Sequence, residues 1–280
     1  MLNAEHLELS QQLAVLCYQT STAILRYYGN QSALNTQNKS NNTPLTNADL
    51  TAHELLAQGL PKILNLPFVS EESSENEQQQ QYDDYWLVDP IDGTRDFIEQ
   101  SGQFCIAIAR ITQNRPTLGF IYAPINNRLW FASQGYGAHT GIYQPNHRLT
   151  LKPIYSQTEI QKPRIITARP GGSKKFKQFL SQVGHYERVY SGSALKFCAI
   201  AEGKAELYPK LSANTSQWDI AAGELILSEA GGALYTLNSE PFYYGGAYPL
   251  LNTAFIAHAA GISDTQLQSY RPFLQPNYLV

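Results

Sequence analysis

Between Tyr85 and Ala132 the chain carries four β-branched or aromatic runs in quick succession, and they limit its folds more than any other feature. They are Tyr85-Trp86-Leu87-Val88, Phe104 to Ile111, Leu118 to Tyr122 and Arg128 to Ala132. Asn114-Arg115-Pro116 and Pro124-Ile125-Asn126-Asn127 punctuate them, as antiparallel hairpins require. Helical spacing precedes this block. Leu2, Leu9, Leu13, Leu16, Ile24 and Leu25 predict one long helix over 2–28, closed by Gly29-Asn30. Leu50, His53, Leu56 and Leu60 predict a second over 47–64, with Thr46 or Asn47 as its N-cap. After the block the pattern alternates: strand at 164–167, helices at 173–183 and 194–202, strand at 205–208, helix at 219–230, strand at 254–257. An α+β first half (1–155) therefore joins an α/β second half (156–280).

Two polar stretches interrupt this pattern. Asn30 to Thr46 has almost nothing to bury and reads as a mobile loop or tether, placed to fold over whatever lies near Asp49. Ser73 to Asp84, with Gln78-Gln79-Gln80-Gln81, reads as an exposed loop of free length.

The chain has 280 residues, 43% of them apolar, enough for a large core. A net charge of −3 excludes a chain-wide basic surface for a nucleic acid polymer. No apolar run approaches ~18 residues, so no transmembrane segment is expected. The N-terminus has no basic stretch ahead of its apolar residues, unlike a secretory signal. Cys17, Cys105 and Cys198 are far apart and odd in number, which suits buried thiols in a cytoplasmic protein rather than a disulfide scaffold. The zincin, dinucleotide and P-loop patterns each fail at a required position: Ala57, Thr140 and Cys198 respectively.

The densest chemical signal is Trp86-Leu87-Val88-Asp89-Pro90-Ile91-Asp92-Gly93-Thr94. An apolar strand delivers Asp89, proline bends the chain, and Asp92 follows. The two carboxylates and the Ile91 carbonyl can face one point, a hard oxygen set that suits Mg²⁺. The amides of Gly93 and Thr94, at a helix start, can seat phosphate oxygens. Ser70-Glu71-Glu72 and Trp218-Asp219-Ile220-Ala221-Ala222-Gly223 add further carboxylates. Each has a plain alternative: a solvated edge for Glu71 and Glu72, an N-cap for Asp219. Spacing alone does not bring them together. If they meet, they repel and raise one another's pKa unless cations neutralise them.

The motifs Asp89-Pro90-Ile91-Asp92-Gly93-Thr94 and Trp218-Asp219-Ile220-Ala221-Ala222-Gly223, with the upstream Ser-Glu-Glu, resemble the paired signature of the inositol monophosphatase superfamily. Four further stretches look like its CysQ-type 3′(2′),5′-bisphosphate nucleotidase branch: 44–50, 92–98, 192–198 and 201–209. The resemblance implies a layered αβαβα sandwich of the sugar-phosphatase type, with the metal site between its halves. It implies a lithium-sensitive phosphomonoesterase using two Mg²⁺ ions, with a third supported by Asp49. Glu71, Asp89 and the Ile91 carbonyl would hold the first ion, and Asp89, Asp92 and Asp219 the second. Asp49 with Thr94 would orient and deprotonate the attacking water, Glu71 would share in catalysis, and Glu72 would stand behind the ligands. The substrate phosphate would be met by Glu71, Ile91, Asp92, Gly93, Thr94 and Asp219, and the rest of a nucleotide by Ser193 and Lys196.

The implied reaction removes the 3′-phosphate of adenosine 3′,5′-bisphosphate, or of its sulfated precursor, within sulfur metabolism. The implied place is the cytoplasm, a peripheral position on the inner membrane being left open, and a homodimer is compatible. Two departures weaken nucleotide recognition. Ala168-Arg169-Pro170-Gly171 stands where the branch has Ser-Arg-Ser-His, and Ser193-Ala194 where it has Ser-Ser. Gln103, where acidic residues are common, is a smaller one. An inositol or sugar phosphatase of the same fold is the first alternative reading. A catalytically idle metal- or nucleotide-binding protein is the second.

Overall fold

A computed structural model describes the chain except residues 1, 31–33, 35, 39–43, 79, 157–161, 169–170 and 277–280. Asn3 caps the first helix, α1 (Ala4–Ile24), by accepting from the His6 amide at 2.9 Å. The helix stops short of the expected residue 28. Tyr27 and Tyr28 donate to Ile24 and Leu25 in tight three-residue turns that end at Gly29, φ +78°. Within the polar stretch that follows, β1 (Thr36–Asn38) pairs antiparallel with β2 (Pro44–Thr46), where the sequence predicts only loop. The expected closure of this stretch over the site falls largely outside the described residues. Thr46 then caps α2 (Asn47–Ile63) in a capping box with Asp49.

The main sheet is built from β3 (Phe68–Ser70), β4 (Asp84–Asp92), β5 (Cys105–Thr112), β6 (Arg115–Ala123), β7 (Arg128–Ser133), β8 (Ala138–Ile142) and β9 (Lys152–Ile154), in that order. Only β3 and β4 run parallel; the rest is an antiparallel meander. Short helices α3 (Glu75–Gln78) and α4 (Thr94–Ile98) flank β4. The second part comprises β10 (Arg164–Thr167), α5 (Lys174–Val183), β11 (Glu187–Tyr190), α6 (Leu195–Ala201), β12 (Leu207–Lys210), α7 (Gln217–Glu229), β13 (Ala233–Thr236), β14 (Phe255–His258) and α8 (Asp264–Tyr270). Its strands form a mixed sheet in the order β11-β10-β12-β14-β13.

Alternation along the main sheet separates two cores. Trp86, Val88, Ile106, Ile108 and Phe120 pack against Leu13, Cys17, Leu56 and Leu60 of α1 and α2. Leu87, Ala107, Ala109 and Ile121, on the other face, pack against Phe197, Ile220, Ala221 and Ile226 of α6 and α7, which in turn meet Phe255 and Ala257 of the second sheet. On the far side of that sheet, Ile165, Leu207 and Ile256 cover Phe179 and Leu267 of α5 and α8. The result is an αβαβα sandwich. Burying a side chain such as Leu87 or Val88 contributes about 1.5–3 kcal/mol. α7 lies so close to the main sheet that a Cβ on Gly119 would meet the Ala222 carbonyl at 2.6 Å. Arg115 of β6 pairs with Glu224 of α7 at 2.6 Å, fastening the same contact. All three cysteines are buried and free.

Candidate active site

β4 is the spine of the site. Asp89 lies opposite Ala107 of β5 but Asp92 lies opposite Cys105, so three steps on β4 span two on its neighbour. Pro90, with no N–H to give the ladder, sits in this bulge, which bends the strand where the two aspartates emerge. The Ile91 amide donates to Asp89 Oδ1 at 3.0 Å and holds the bend. Gly93 then takes φ +98°, a left-handed turn that favours glycine, and α4 begins at Thr94. A Cβ on Gly93 would also press on the Gln103 carbonyl at 3.2 Å. The first amides of α4 have no acceptor within the helix.

Other elements bring the remaining carboxylates. β3 pairs parallel with β4, Ser70 opposite Val88, and the Glu71 amide donates to the Val88 carbonyl at 3.1 Å. Glu71 thus leaves its strand beside Asp89. Asp219 is the third residue of α7, and its Oδ2 accepts from the Ser216 amide at 2.7 Å in a capping box. Glu71, Asp89 and Asp219 each offer a carboxylate oxygen within 4.8 Å of the others. Beside them, Asp49 Oδ1 accepts from the Thr94 hydroxyl at 3.0 Å, and its Oδ2 accepts the Thr46 amide at 2.8 Å and hydroxyl at 2.5 Å.

Asp92 stands slightly apart, its Oδ2 accepting the Ala194 amide at 2.5 Å. It still interacts electrostatically with Asp89 and Asp219. The Glu72 amide donates to Ser70 Oγ at 3.1 Å, behind the cluster.

Burial, reinforced by Glu71 and the neighbouring aspartates, pushes the Asp89 carboxyl well above its ordinary range; only 2% of the residue is exposed. The same causes raise Asp219 to about 8, and burial raises Asp92 to about 6 against the pull of Lys196. The Asp219 and Asp89 carboxylates lie within 4.8 Å of each other, so each raises the cost of charging the other. Crowded, desolvated hard oxygens whose charges are costly to hold together without a cation are a donor set suited to a divalent one. The residues present therefore fit a metal.

Lys196 is 8% exposed, and its ammonium donates to the Ser193 carbonyl at 2.8 Å and lies 5.1 Å from the Tyr208 ring centre. Burial lowers its pKa while Asp92 opposes the fall. Ser193, at φ +48°, turns its hydroxyl to the Cys105 thiol at 3.4 Å. Gln103 accepts from the Ser191 hydroxyl and the Gly192 amide. Arg169 and Pro170, part of the variant segment 168–171, lie outside the described residues.

Two contributors escape the sequence reading. Lys210, the last residue of β12, is half-buried and interacts electrostatically with Asp219 and Asp92; its one signal is a lysine closing a short apolar strand. Gln78 lies in the stretch read as a featureless loop. Its amide nitrogen donates to the carbonyls of Ser70, Glu71 and Ser73 at 3.3, 3.0 and 3.0 Å. It clamps the turn that presents Glu71.

Comparison with known proteins places the sequence and fold in a family. Residues 7–269 match the inositol monophosphatase family. The 3′(2′),5′-bisphosphate nucleotidase CysQ of Escherichia coli (strain K12) is 32% identical over 248 residues, covering 87% of this chain and 97% of that protein. The CysQ of Buchnera aphidicola is 33% identical over 240 residues, covering 84% and 88%. Among solved structures, CysQ from Bacteroides thetaiotaomicron superposes with a TM-score of 0.75 at 29% identity, over 89% of this chain and 98% of that one. A Thermotoga maritima IMPase at 21% identity shares the fold, with a TM-score of 0.72 over 93% of this chain and 95% of that one. With both signature motifs, the layered sandwich and the carboxylate cluster in agreement, the chain belongs to the inositol monophosphatase family.

Proposed function

We propose that this protein is a Mg²⁺-dependent phosphomonoesterase that removes the 3′-phosphate of adenosine 3′,5′-bisphosphate, and of its sulfated precursor, to leave the 5′-nucleotide and phosphate. The observation that carries the chemistry is the convergence of Glu71, Asp89 and Asp219, with the Thr94–Asp49 pair alongside. Glu71, Asp89 and the Ile91 carbonyl would hold one cation, and Asp89, Asp92 and Asp219 a second. When bound, such ions acidify water, screen the phosphate's charge and stabilise the leaving oxygen.

The chain's own groups do the rest. Thr94 Oγ1 gives its proton to Asp49 Oδ1 while accepting one from the attacking water, which fixes the water's orientation. The new O–P bond forms as the bond from phosphorus to the sugar oxygen breaks, the electron pair leaving with that oxygen. The free amides at the start of α4, at Thr94 and beside Gly93, supply donors to the phosphoryl oxygens. No covalent intermediate is required.

Two lysines, the buried Lys196 and the half-buried Lys210, support the choice of a doubly phosphorylated substrate. Each lowers its cost of burial when a second phosphate lies between them. The CysQ relatives bear the name of that activity. Ser193 would contribute its backbone at this position. We further infer two units, 1–155 and 156–280, that share the site. Phosphate release from the bisphosphate nucleotide, inositol 1-phosphate and fructose 1,6-bisphosphate, each with and without Mg²⁺, is the test. Faster turnover of either of the other two substrates would favour the inositol or sugar reading, which the altered segment 168–171 makes worth including.

A further inference from the structure

A second charged cavity lies at the opposite end of the main sheet, over β7, β8 and β9. It encloses about 510 Å³, and its lining includes Arg128, His147, Arg148 and Lys152. Among the described residues that line it there is no carboxylate, in a chain whose acidic residues outnumber its basic ones.

The sheet register explains how the cations meet. Arg128 of β7 pairs directly with Ile142 of β8, and Thr140 of β8 pairs directly with Lys152 of β9. Paired residues share a face, as do residues two apart on a strand, so all four side chains stand on one side of the sheet. The 143–151 connection brings His147 and Arg148 to the edge of the same hollow and is held at both ends. Tyr143 donates its amide to the Asn127 carbonyl at 2.9 Å, and Leu149 donates to the Gln11 side chain at 2.7 Å. On the opposite face of β8, a Cβ on Gly141 would meet the Thr150 carbonyl at 2.7 Å, so glycine is what lets the end of the connection lie against the strand there.

The charges are unevenly balanced. Arg128 pairs with Glu202 and stacks on Trp130, and is thereby fixed in place. Arg148 and Lys152 have no ion-pair partner among the described residues. Like charges gathered around one hollow repel, and an anion would relieve the repulsion. Ile142, 59% exposed, adds an apolar surface in the middle of this basic floor.

We propose that this cavity binds a small organic phosphate, its anionic head between Arg148 and Lys152 and its apolar body across Ile142. The volume suits a molecule of nucleotide size. The cavity lies four strands from β4, about 19 Å across the sheet, so it is distinct from the carboxylate cluster. The net charge of −3 argues against an extended polyanion as the occupant.

The test uses EDTA-treated protein, in which the unneutralised carboxylate cluster repels anions and leaves the basic cavity as the favoured seat. Calorimetric titration with inorganic pyrophosphate should give salt-sensitive binding to the wild type. Binding should weaken about tenfold or more in Arg148→Glu/Lys152→Glu and be retained in Lys196→Ala. Ile142→Ala should weaken AMP several-fold and leave pyrophosphate unchanged. Both reversed positions are exposed, and an unaltered melting temperature shows that the variant is folded. Absence of binding to the wild type, equal binding to the charge-reversed variant, or loss in Lys196→Ala each overturns the assignment. An AMP affinity indifferent to Ile142→Ala overturns its organic half.

Discussion

The Thr94 hydroxyl lies 3.0 Å from Asp49 Oδ1, joining residues 45 positions apart at the edge of the carboxylate cluster. One oxygen of Asp49 thus meets Thr94, where the proposed proton relay would run, while the other closes the capping box of α2. Thr94→Ala removes the proton path and leaves the cap intact. Turnover should fall by about 10²–10⁴-fold with little change in melting temperature, and Thr94→Ser should restore most of it. A Thr94→Ala enzyme with wild-type kcat would remove this pair from the mechanism.

Asp89 contributes to both inferred cation positions and is the most enclosed member of the cluster. Asp89→Asn keeps the shape and hydrogen bonding but halves the donor power and removes a charge. Phosphate release should drop by at least about 10³-fold, and Mg²⁺ should no longer raise the melting temperature. Activity that survives the change intact would point to a contaminant.

The crowded carboxylates make a prediction about pH. Their folded pKa values lie above the unfolded ones, Asp219 at about 8 and Asp92 at about 6, chiefly through burial. The folded state therefore holds protons that the unfolded state releases, and stability falls as pH rises toward 8. The buried His139 and half-buried His53 and His258 act in the other direction, their pKa values being lowered by desolvation, so they matter mainly below about pH 6.5. Metal-free protein should melt at a lower temperature at pH 8.5 than at pH 6.5, and Mg²⁺ should raise it more at the higher pH. Asp219→Asn should flatten the difference. A melting temperature independent of pH over this range in EDTA would show that the cluster is not strained.

Gln78 touches no substrate, yet it holds three carbonyls of the turn that presents Glu71. Gln78→Ala should weaken Mg²⁺ binding several-fold, read as a higher Mg²⁺ concentration for half-maximal melting shift, with kcat at saturating Mg²⁺ nearly unchanged. Gln78→Glu, which exchanges the donating amide for an acceptor, should do no better. Equal metal affinity in all three proteins would reduce Gln78 to a surface residue.

The strands that form the core were legible because their apolar runs are long and bounded by turn residues. β4 to β7 and the helices α2, α5 and α7 fall close to where spacing puts them. β8 and β9 escaped detection: Ala-His-Thr-Gly-Ile has little β-branched or aromatic content, and Lys-Pro-Ile holds a proline that only an edge strand accepts. α8 buries little besides Leu267 and Tyr270, too sparse a stripe to read as a helix. Local motifs named the acidic residues, but their meeting depends on long-range events: the parallel pairing of β3 with β4, the bulge at Pro90 and the docking of α7 on the sheet. Lys210 and Gln78 belong to no motif, and only the tertiary arrangement gives them a role.

Asp49 and Asp219 each close the first turn of a helix, α2 and α7, on the two sides of the cluster. A copy of this chain drifting toward inactivity could not discard either carboxylate without loosening a helix start, at a cost of about 1 kcal/mol each. Selection for a sound scaffold alone would thus preserve part of the proposed catalytic inventory. An idle descendant would betray itself first at Thr94 or Glu71, where no helix depends on the side chain.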